Sequence, residues 1–92
     1  MISNLNQLYR QDNVRIRKIE NVFYLVCGRA CYEINETGAL IVNAIGKDLS
    51  IDKVCEKLSQ IYKYTEIEQI RDDVEKFIEF IVDNGIVNTK KD

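Results

Sequence analysis

The stretch VFYLVCGRACYEI, residues 22–34, decides the fold of this chain. Both of its halves are rich in β-branched and aromatic side chains, which favour strands. Gly28-Arg29 lies between them and has the glycine-first pattern of a two-residue type II′ turn. The stretch therefore predicts a β-hairpin whose register places Cys27 opposite Ala30.

The segment before this hairpin predicts a third strand. Within residues 14–19, the first four alternate between apolar and basic side chains, and Glu20-Asn21 forms a short break before the hairpin begins. If this break is also a two-residue turn, one face of the sheet is apolar or amphipathic, formed by Val14, Ile16, Phe23, Leu25, Cys27, Ala30, Tyr32 and Ile34. The other face carries Arg15, Arg17, Tyr24 and Glu33. A sheet with one apolar face is expected to pack against helices on that side.

Three helices are predicted after the hairpin. Asn35 is a suitable N-cap for the first, which Gly46 ends, and Ser50 caps the second. The segment Thr65-Glu-Ile-Glu68 has the pattern of a capping box for the third, which Gly85 ends. The apolar residues at helical spacing, which we assign to the core, are Leu40, Ile41, Ala44 and Ile45, then Ile51, Val54, Cys55, Leu58, Ile61 and Tyr62, then Ile67, Ile70, Val74, Phe77, Ile78 and Ile81.

The order of elements predicts an α+β fold, with a three-stranded antiparallel sheet followed by three helices in a winged-helix-like arrangement. We expect one domain over residues 14–88, an N-terminal polar segment over residues 1–13 and a charged tail over residues 89–92. The N-terminal segment is either disordered or lies across the sheet through Leu5, Leu8 and Tyr9.

The net charge, the N-terminal sequence and the cysteine count indicate which classes of function and which cellular location to expect. The net charge of −2 argues against a general nucleic-acid binder, which needs a basic face, and gives no reason to expect binding to an anionic membrane. The first 13 residues contain no continuous apolar stretch of the kind found in export signals or membrane spans. Together with the odd count of three cysteines, which fits reduced thiols, this predicts a cytoplasmic protein.

The cysteines do not suggest a metal or redox site. In the predicted hairpin, Cys27 and Cys31 point to opposite faces of the sheet, and Cys55 lies on a later helix. The chain contains no histidine and no convergent nucleophile and base, so we expect no metal, no cofactor and no enzymatic activity.

The stretch from Phe23 to Val87 resembles the PqqD family, also called the RiPP recognition element. The resemblance is carried by a succession of short segments in the family's order: Tyr32-Glu-Ile34, Asn35-Glu-Thr-Gly-Ala-Leu-Ile41, Leu49-Ser-Ile-Asp52, Asp73-Val74, Phe77-Ile78 and Asn84-Gly-Ile-Val87. It covers about three quarters of the chain, and the succession is more specific than any single segment.

The resemblance implies a function. Members of the family bind the leader of a ribosomally made precursor peptide and deliver it to a modifying enzyme, such as a radical SAM maturase, a cyclodehydratase or a leader peptidase. The leader adds as a strand beside the third strand, and its apolar side chains enter a groove against the third helix. The residues that we expect to bind the peptide are Ala30, Cys31, Tyr32, Glu33, Ile34, Ile70, Arg71, Val74, Phe77, Ile78 and Ile81.

Two alternatives stay open from the residues alone. A winged-helix DNA-binding regulator has the same elements, but the third helix presents mainly acidic residues, Asp72, Glu75, Glu79 and Asp83. A homodimer could form by pairing of exposed strand edges, and it is compatible with peptide binding.

Overall fold

The computed structural model describes residues 2–90. A single 3₁₀ turn, Leu5–Gln7, precedes the regular elements. These are β1 (Leu8–Arg10), β2 (Val14–Ile19), β3 (Val22–Cys27), β4 (Ala30–Ile34), α1 (Glu36–Ala44), α2 (Ile51–Ile61), α3 (Ile67–Asp83) and β5 (Val87–Thr89). The predicted fold class is confirmed: a three-stranded antiparallel sheet in the order β2-β3-β4 is followed by three helices.

The register of this sheet is the one predicted from its two turns. Cys27 pairs with Ala30, and Leu25 lies between Ile16 on β2 and Tyr32 on β4. Both residues of the first turn, Glu20 and Asn21, have positive φ angles of 49° and 68°. This is the conformation of a type I′ turn, whose twist matches that of the strands that it joins.

Two of the three predicted helix caps are present. The side chain of Asn35 accepts a hydrogen bond from the Gly38 N–H at 2.8 Å, and Ser50 Oγ accepts one from the Lys53 N–H at 3.1 Å. The capping box predicted at Thr65 is wrong. Glu66 is the N-cap residue of α3, and no side chain caps this helix.

The first 13 residues contribute to the core. Leu5 and Leu8 are fully buried, and β1 pairs with β5 in a second, two-stranded antiparallel sheet. The Leu5 N–H donates to the Leu49 carbonyl at 2.9 Å, which ties the segment to the loop before α2. The predicted polar segment thus packs, through its two buried leucines, against the domain that we placed at residues 14–88.

Only the first two residues of the predicted charged tail, Thr89 and Lys90, lie among the described residues. Thr89 ends β5, and the Lys90 N–H donates to the Gln7 carbonyl at 2.8 Å. The rest of the tail, residues 91–92, lies outside the described residues, as does residue 1.

The core lies between the inner face of the three-stranded sheet, the three helices and the β1-β5 pair. Three residues that the helical spacing assigns to the core are instead exposed: Leu40, Ile61 and Ile67. On α1, the prediction is right for Ile41, which is buried, and wrong for Leu40, because Gly38, Ala39 and Val42 form the rest of the buried face. Of the described helices, none is long and apolar enough to cross a membrane.

Candidate functional site

Strand β4 forms one edge of the three-stranded sheet, because it pairs with β3 on one side and with no other described strand. Along a strand of an antiparallel pair, successive residues direct their backbone N–H and C=O groups alternately toward the partner strand and away from it. The two-residue turn closes on the pair Cys27 and Ala30, so the backbone groups of Cys31 and Glu33 point toward the free edge. Neither residue takes part in the backbone hydrogen bonds that the described chain makes outside its regular elements. The edge therefore has unused donors and acceptors.

An aromatic cluster formed by Tyr32, Phe77 and Phe80 lies beside this edge. The rings of Tyr32 and Phe80 meet edge to face, with centroids 5.3 Å apart and planes at 88°. The centroids of Phe77 and Phe80 are 6.3 Å apart. All three side chains are half-buried, so the cluster is joined to the core and also offers ring surface to solvent.

Close packing against α1 fixes one side of this aromatic cluster. The ring of Phe77 lies over Gly38, where an added Cβ would approach Phe77 Cε1 to 2.8 Å. Gly38 is itself buried within α1. The absence of a side chain at this position lets the ring approach the helix backbone, which holds Phe77 between α1 and Phe80.

The structure brings together only some of the residues predicted to bind a peptide. Tyr32 and Phe77 belong to the aromatic cluster, Ile34 is half-buried at the end of β4, and Ala30, Cys31 and Glu33 are exposed on the edge strand. Four residues of α3 lie in the core, with at most 6% of their surface exposed: Ile70, Val74, Ile78 and Ile81. A peptide on the surface would not reach these four side chains, so we leave them out of the site proposed below.

Arg71 faces away from the edge strand. Its guanidinium forms an ion pair with Asp52 of α2 at 2.6 Å. This hydrogen bond and the charge of Asp52 raise the pKa of Arg71 above its usual value. We therefore leave Arg71 out of the site as well.

Phe80 and Asp73 belong to the candidate site, although neither was among the residues predicted to bind the peptide. Phe80 lies seven residues after Asp73 and three after Phe77, so the three residues form a stripe along one flank of α3. The signal in the sequence was the extra apolar width of this helix, which one core-facing stripe does not require. Asp73 is exposed at the start of the stripe and accepts a hydrogen bond from Gln69 Nε2 at 2.9 Å.

The exposed surface of α3 is acidic. Its acidic side chains are all exposed: Glu68, Asp72, Asp73, Glu75, Glu79 and Asp83. Only Arg71 and Lys76 oppose them on this helix, and both already pair with carboxylates, those of Asp52 and Asp72. A recognition helix that enters the major groove would repel the phosphates with such a surface.

The exposure of the thiols agrees with the predicted strand register for Cys27 and Cys31 and with helical spacing for Cys55. Cys31 is exposed, Cys27 is half-buried and Cys55 is fully buried. Burial raises the pKa of the Cys55 thiol, an effect that Arg71 opposes and that Asp52 and Glu75 reinforce. Among the side chains of residues 2–90, no three His, Cys, Asp or Glu residues are grouped so that they could hold a metal ion.

Known proteins share the fold and the sequence pattern of this chain. The structure is similar to that of lasso peptide synthetase B1 complexed with the leader peptide, with a TM-score of 0.73 and 20% sequence identity over 89% of this chain and 98% of that chain. At this identity the likeness shows the fold. A search of curated proteins found no match. The family model of coenzyme PQQ synthesis protein D (PqqD) matches residues 22–87, which is well over half of the sequence. The chain therefore belongs to the PqqD family.

Proposed function

We propose that this chain binds the leader region of a ribosomally synthesised precursor peptide by strand addition to β4. The observation that carries the proposal is the free edge of β4 beside the aromatic cluster. An added strand would bond to the outward backbone groups of Cys31 and Glu33, which gives affinity without reading sequence. Membership of the PqqD family and the fold shared with a leader-peptide complex support the proposal.

Selectivity would come from the side chains that surround the edge. Alternate residues of an added strand point to the same face, so two apolar leader residues can contact the aromatic cluster and Ile34. Glu33 on the edge and Asp73 on α3 are exposed carboxylates, which favour a leader with basic residues at the matching positions. A disordered leader must become ordered on binding, so we expect a Kd on the order of micromolar, about −8 kcal/mol.

The role that we propose is that of an adaptor without catalytic activity. In this proposal the chain acts in the cytoplasm and delivers the bound precursor to a modifying enzyme, which is a radical SAM maturase, a cyclodehydratase or a leader peptidase. The isolated chain mixed with its precursor should leave the mass of the peptide unchanged. A modified or cleaved product formed by the chain alone would contradict this part of the proposal.

A titration tests the proposal. The isotopically labelled chain is titrated with the leader peptide that is encoded next to its own gene in the genome. Amide shifts should concentrate in residues 30–34 and around the stripe Asp73, Phe77 and Phe80. Replacing Phe80 by alanine should weaken leader binding about tenfold or more, which corresponds to about 1.4 kcal/mol. The control is Tyr9→Ala, which removes an exposed aromatic ring on β1 and should leave the affinity unchanged. Shifts confined to another face of the molecule would refute the placement of the site.

Pairing of two β4 edges in a homodimer would use the same backbone groups and would compete with the leader. This stays a prediction. Size-exclusion chromatography over a range of concentrations checks it, since a dimer of this kind should dissociate when leader is added.

A further inference from the structure

A second apolar groove lies between α1 and α2, away from the edge strand. We call it the α1-α2 groove; its apolar lining includes Leu40, Ala44, Leu49 and Ile61, and Lys47 and Lys57 flank it. Its volume is about 400 Å³. Binding clefts commonly measure about 300–1,000 Å³, so the groove has room for several side chains of a partner.

The exposure of this groove is unusual for its residues. Leu40 and Ile61 have 44% and 52% of their surface exposed, although their helical spacing is typical of core positions. Single exposed apolar residues are common on protein surfaces, but these two line the same groove.

The charge of the residues that line the α1-α2 groove is net positive, because Lys47 and Lys57 outnumber Asp48. The ion pairs of the described residues join Lys53 to Glu56, Arg71 to Asp52 and Lys76 to Asp72, so neither Lys47 nor Lys57 has a carboxylate partner there. The carboxylate of Asp48, which also lines the groove, accepts hydrogen bonds from the amides of Asn4 and Asn6. The rim therefore attracts acidic groups, in contrast to the acidic surface of α3.

The α1-α2 groove does not overlap the proposed leader site, which consists of β4 and the aromatic cluster. On α1, Gly38 contacts Phe77 of the aromatic cluster, whereas Leu40 lines the groove. Two residues along an α-helix correspond to a rotation of about 200°, so these residues lie on nearly opposite sides of α1. None of the residues that line the groove belongs to β4 or to the aromatic cluster. Both surfaces can therefore be occupied at the same time.

We propose that the α1-α2 groove is the docking surface for an acidic amphipathic helix of the enzyme that modifies the precursor. The inference rests on the proposed adaptor function, which needs one surface for the leader and a separate one for the enzyme. A helix is the occupant that fits, because a groove between two helices accepts apolar side chains at i, i+3 and i+4 spacing. Glu or Asp residues on its flanks would pair with Lys47 and Lys57.

The experiment measures binding of this chain to the purified modifying enzyme encoded beside it, and binding of a fluorescent leader in parallel. Ile61→Asp should weaken enzyme binding about tenfold or more, because it places a charge in the apolar lining. The double variant Lys47→Glu and Lys57→Glu should also weaken it, and because the reversed charges repel the acidic flanks of the helix, added salt should restore part of the affinity instead of lowering it. Both variants should bind the leader within about twofold of the unchanged chain.

The control for these variants is Ile19→Asp, a replacement of an equally exposed isoleucine at the end of β2. It should leave both affinities unchanged. Circular dichroism reports the fold of each variant. If Ile61→Asp unfolds the chain, the lysine variant still tests the inference, since both lysines are exposed.

Two results would overturn the inference: the enzyme binds the folded groove variants as tightly as the unchanged chain, or it does not bind the unchanged chain with or without leader. The failure of the proposed function looks different. In that case the leader does not bind the unchanged chain, whereas the enzyme still binds the unchanged chain and binds the groove variants more weakly.

Discussion

At the scale of single residues, the contact between Gly38 and Phe77 links the core to the candidate site. The glycine belongs to α1 and the ring to α3, and their close approach leaves no room for a Cβ. A helical glycine costs about 1 kcal/mol relative to alanine. The packing of Phe77 is the physical reason to have glycine at this position.

Gly38→Ala tests this contact. The added methyl group should force Phe77 to shift, and overpacking of this kind costs about 1–3 kcal/mol, which outweighs the gain in helix propensity. We expect a free energy of unfolding about 1 kcal/mol lower and weaker leader binding, measured by urea denaturation and by titration. The matched control is Asn43→Ala on the exposed side of α1, which should not destabilise the chain. A Gly38→Ala chain that is more stable and binds the leader normally would argue against the contact.

The buried thiol of Cys55 predicts a pH dependence. Burial raises its pKa in the folded chain above the ordinary value of 9.0, because the thiolate is poorly solvated there. Its contribution to stability is therefore complete below about pH 9 and is lost as the pH rises through the folded pKa. Between about pH 8 and about pH 10.5, the melting temperature of the unchanged chain should fall more steeply than that of Cys55→Ala. Equal slopes would show that Cys55 does not ionise differently in the folded chain.

At the scale of elements, β4 is an edge whose outward backbone groups belong to Cys31 and Glu33. Glu33→Pro removes one outward N–H without removing a hydrogen bond to β3. We expect it to weaken leader binding by more than tenfold, whereas Glu33→Ala, which keeps the N–H, should weaken it only a few-fold. Fluorescence anisotropy with a labelled leader measures both variants.

The opposite edge of the same sheet supplies a second control for this variant. Lys18 lies on β2, and its N–H points toward that edge by the same alternation. Lys18→Pro should leave the leader affinity unchanged in a folded chain. If it weakens binding as much as Glu33→Pro does, proline acts through the sheet as a whole and the placement of the leader on β4 is not supported.

At the scale of the whole molecule, the N-terminal segment completes the domain. Its leucines are buried with residues of the helices and of β5, and β1 supplies the partner strand of β5. Leu8→Ala should lower the free energy of unfolding by about 2–5 kcal/mol, as other buried leucines do. Tyr9→Ala, the next residue but exposed, should lower it by much less. Thermal denaturation compares the two, and equal effects would mean that the segment is not part of the core.

Much of the fold could be predicted because its signals are local. Two short turns determine the register of β2, β3 and β4, and the caps at Asn35 and Ser50 mark where α1 and α2 begin. The predicted cap at Thr65 was wrong. Thr65 and Glu68 match the sequence pattern of a capping box, but the N-cap of α3 is the next residue, Glu66. The part of the candidate site that lies on β4 could also be predicted, since an edge strand follows from strand order.

The amino-acid sequence by itself determined the hairpin, the order of β2, β3, β4 and the three helices, and the face that each of these three strands presents, because turn chemistry and period-two alternation act over a few residues. It did not predict β1 and β5, whose pairing joins the two ends of the chain. Only the tertiary structure decided which side of each helix is buried. Helical spacing assigns Leu40, Ile61 and Phe77 alike to the core, but the packing of neighbouring elements leaves the first two exposed and the third half-buried beside Phe80. That choice depends on contacts between residues far apart in the chain, and it separates the leader site from the α1-α2 groove.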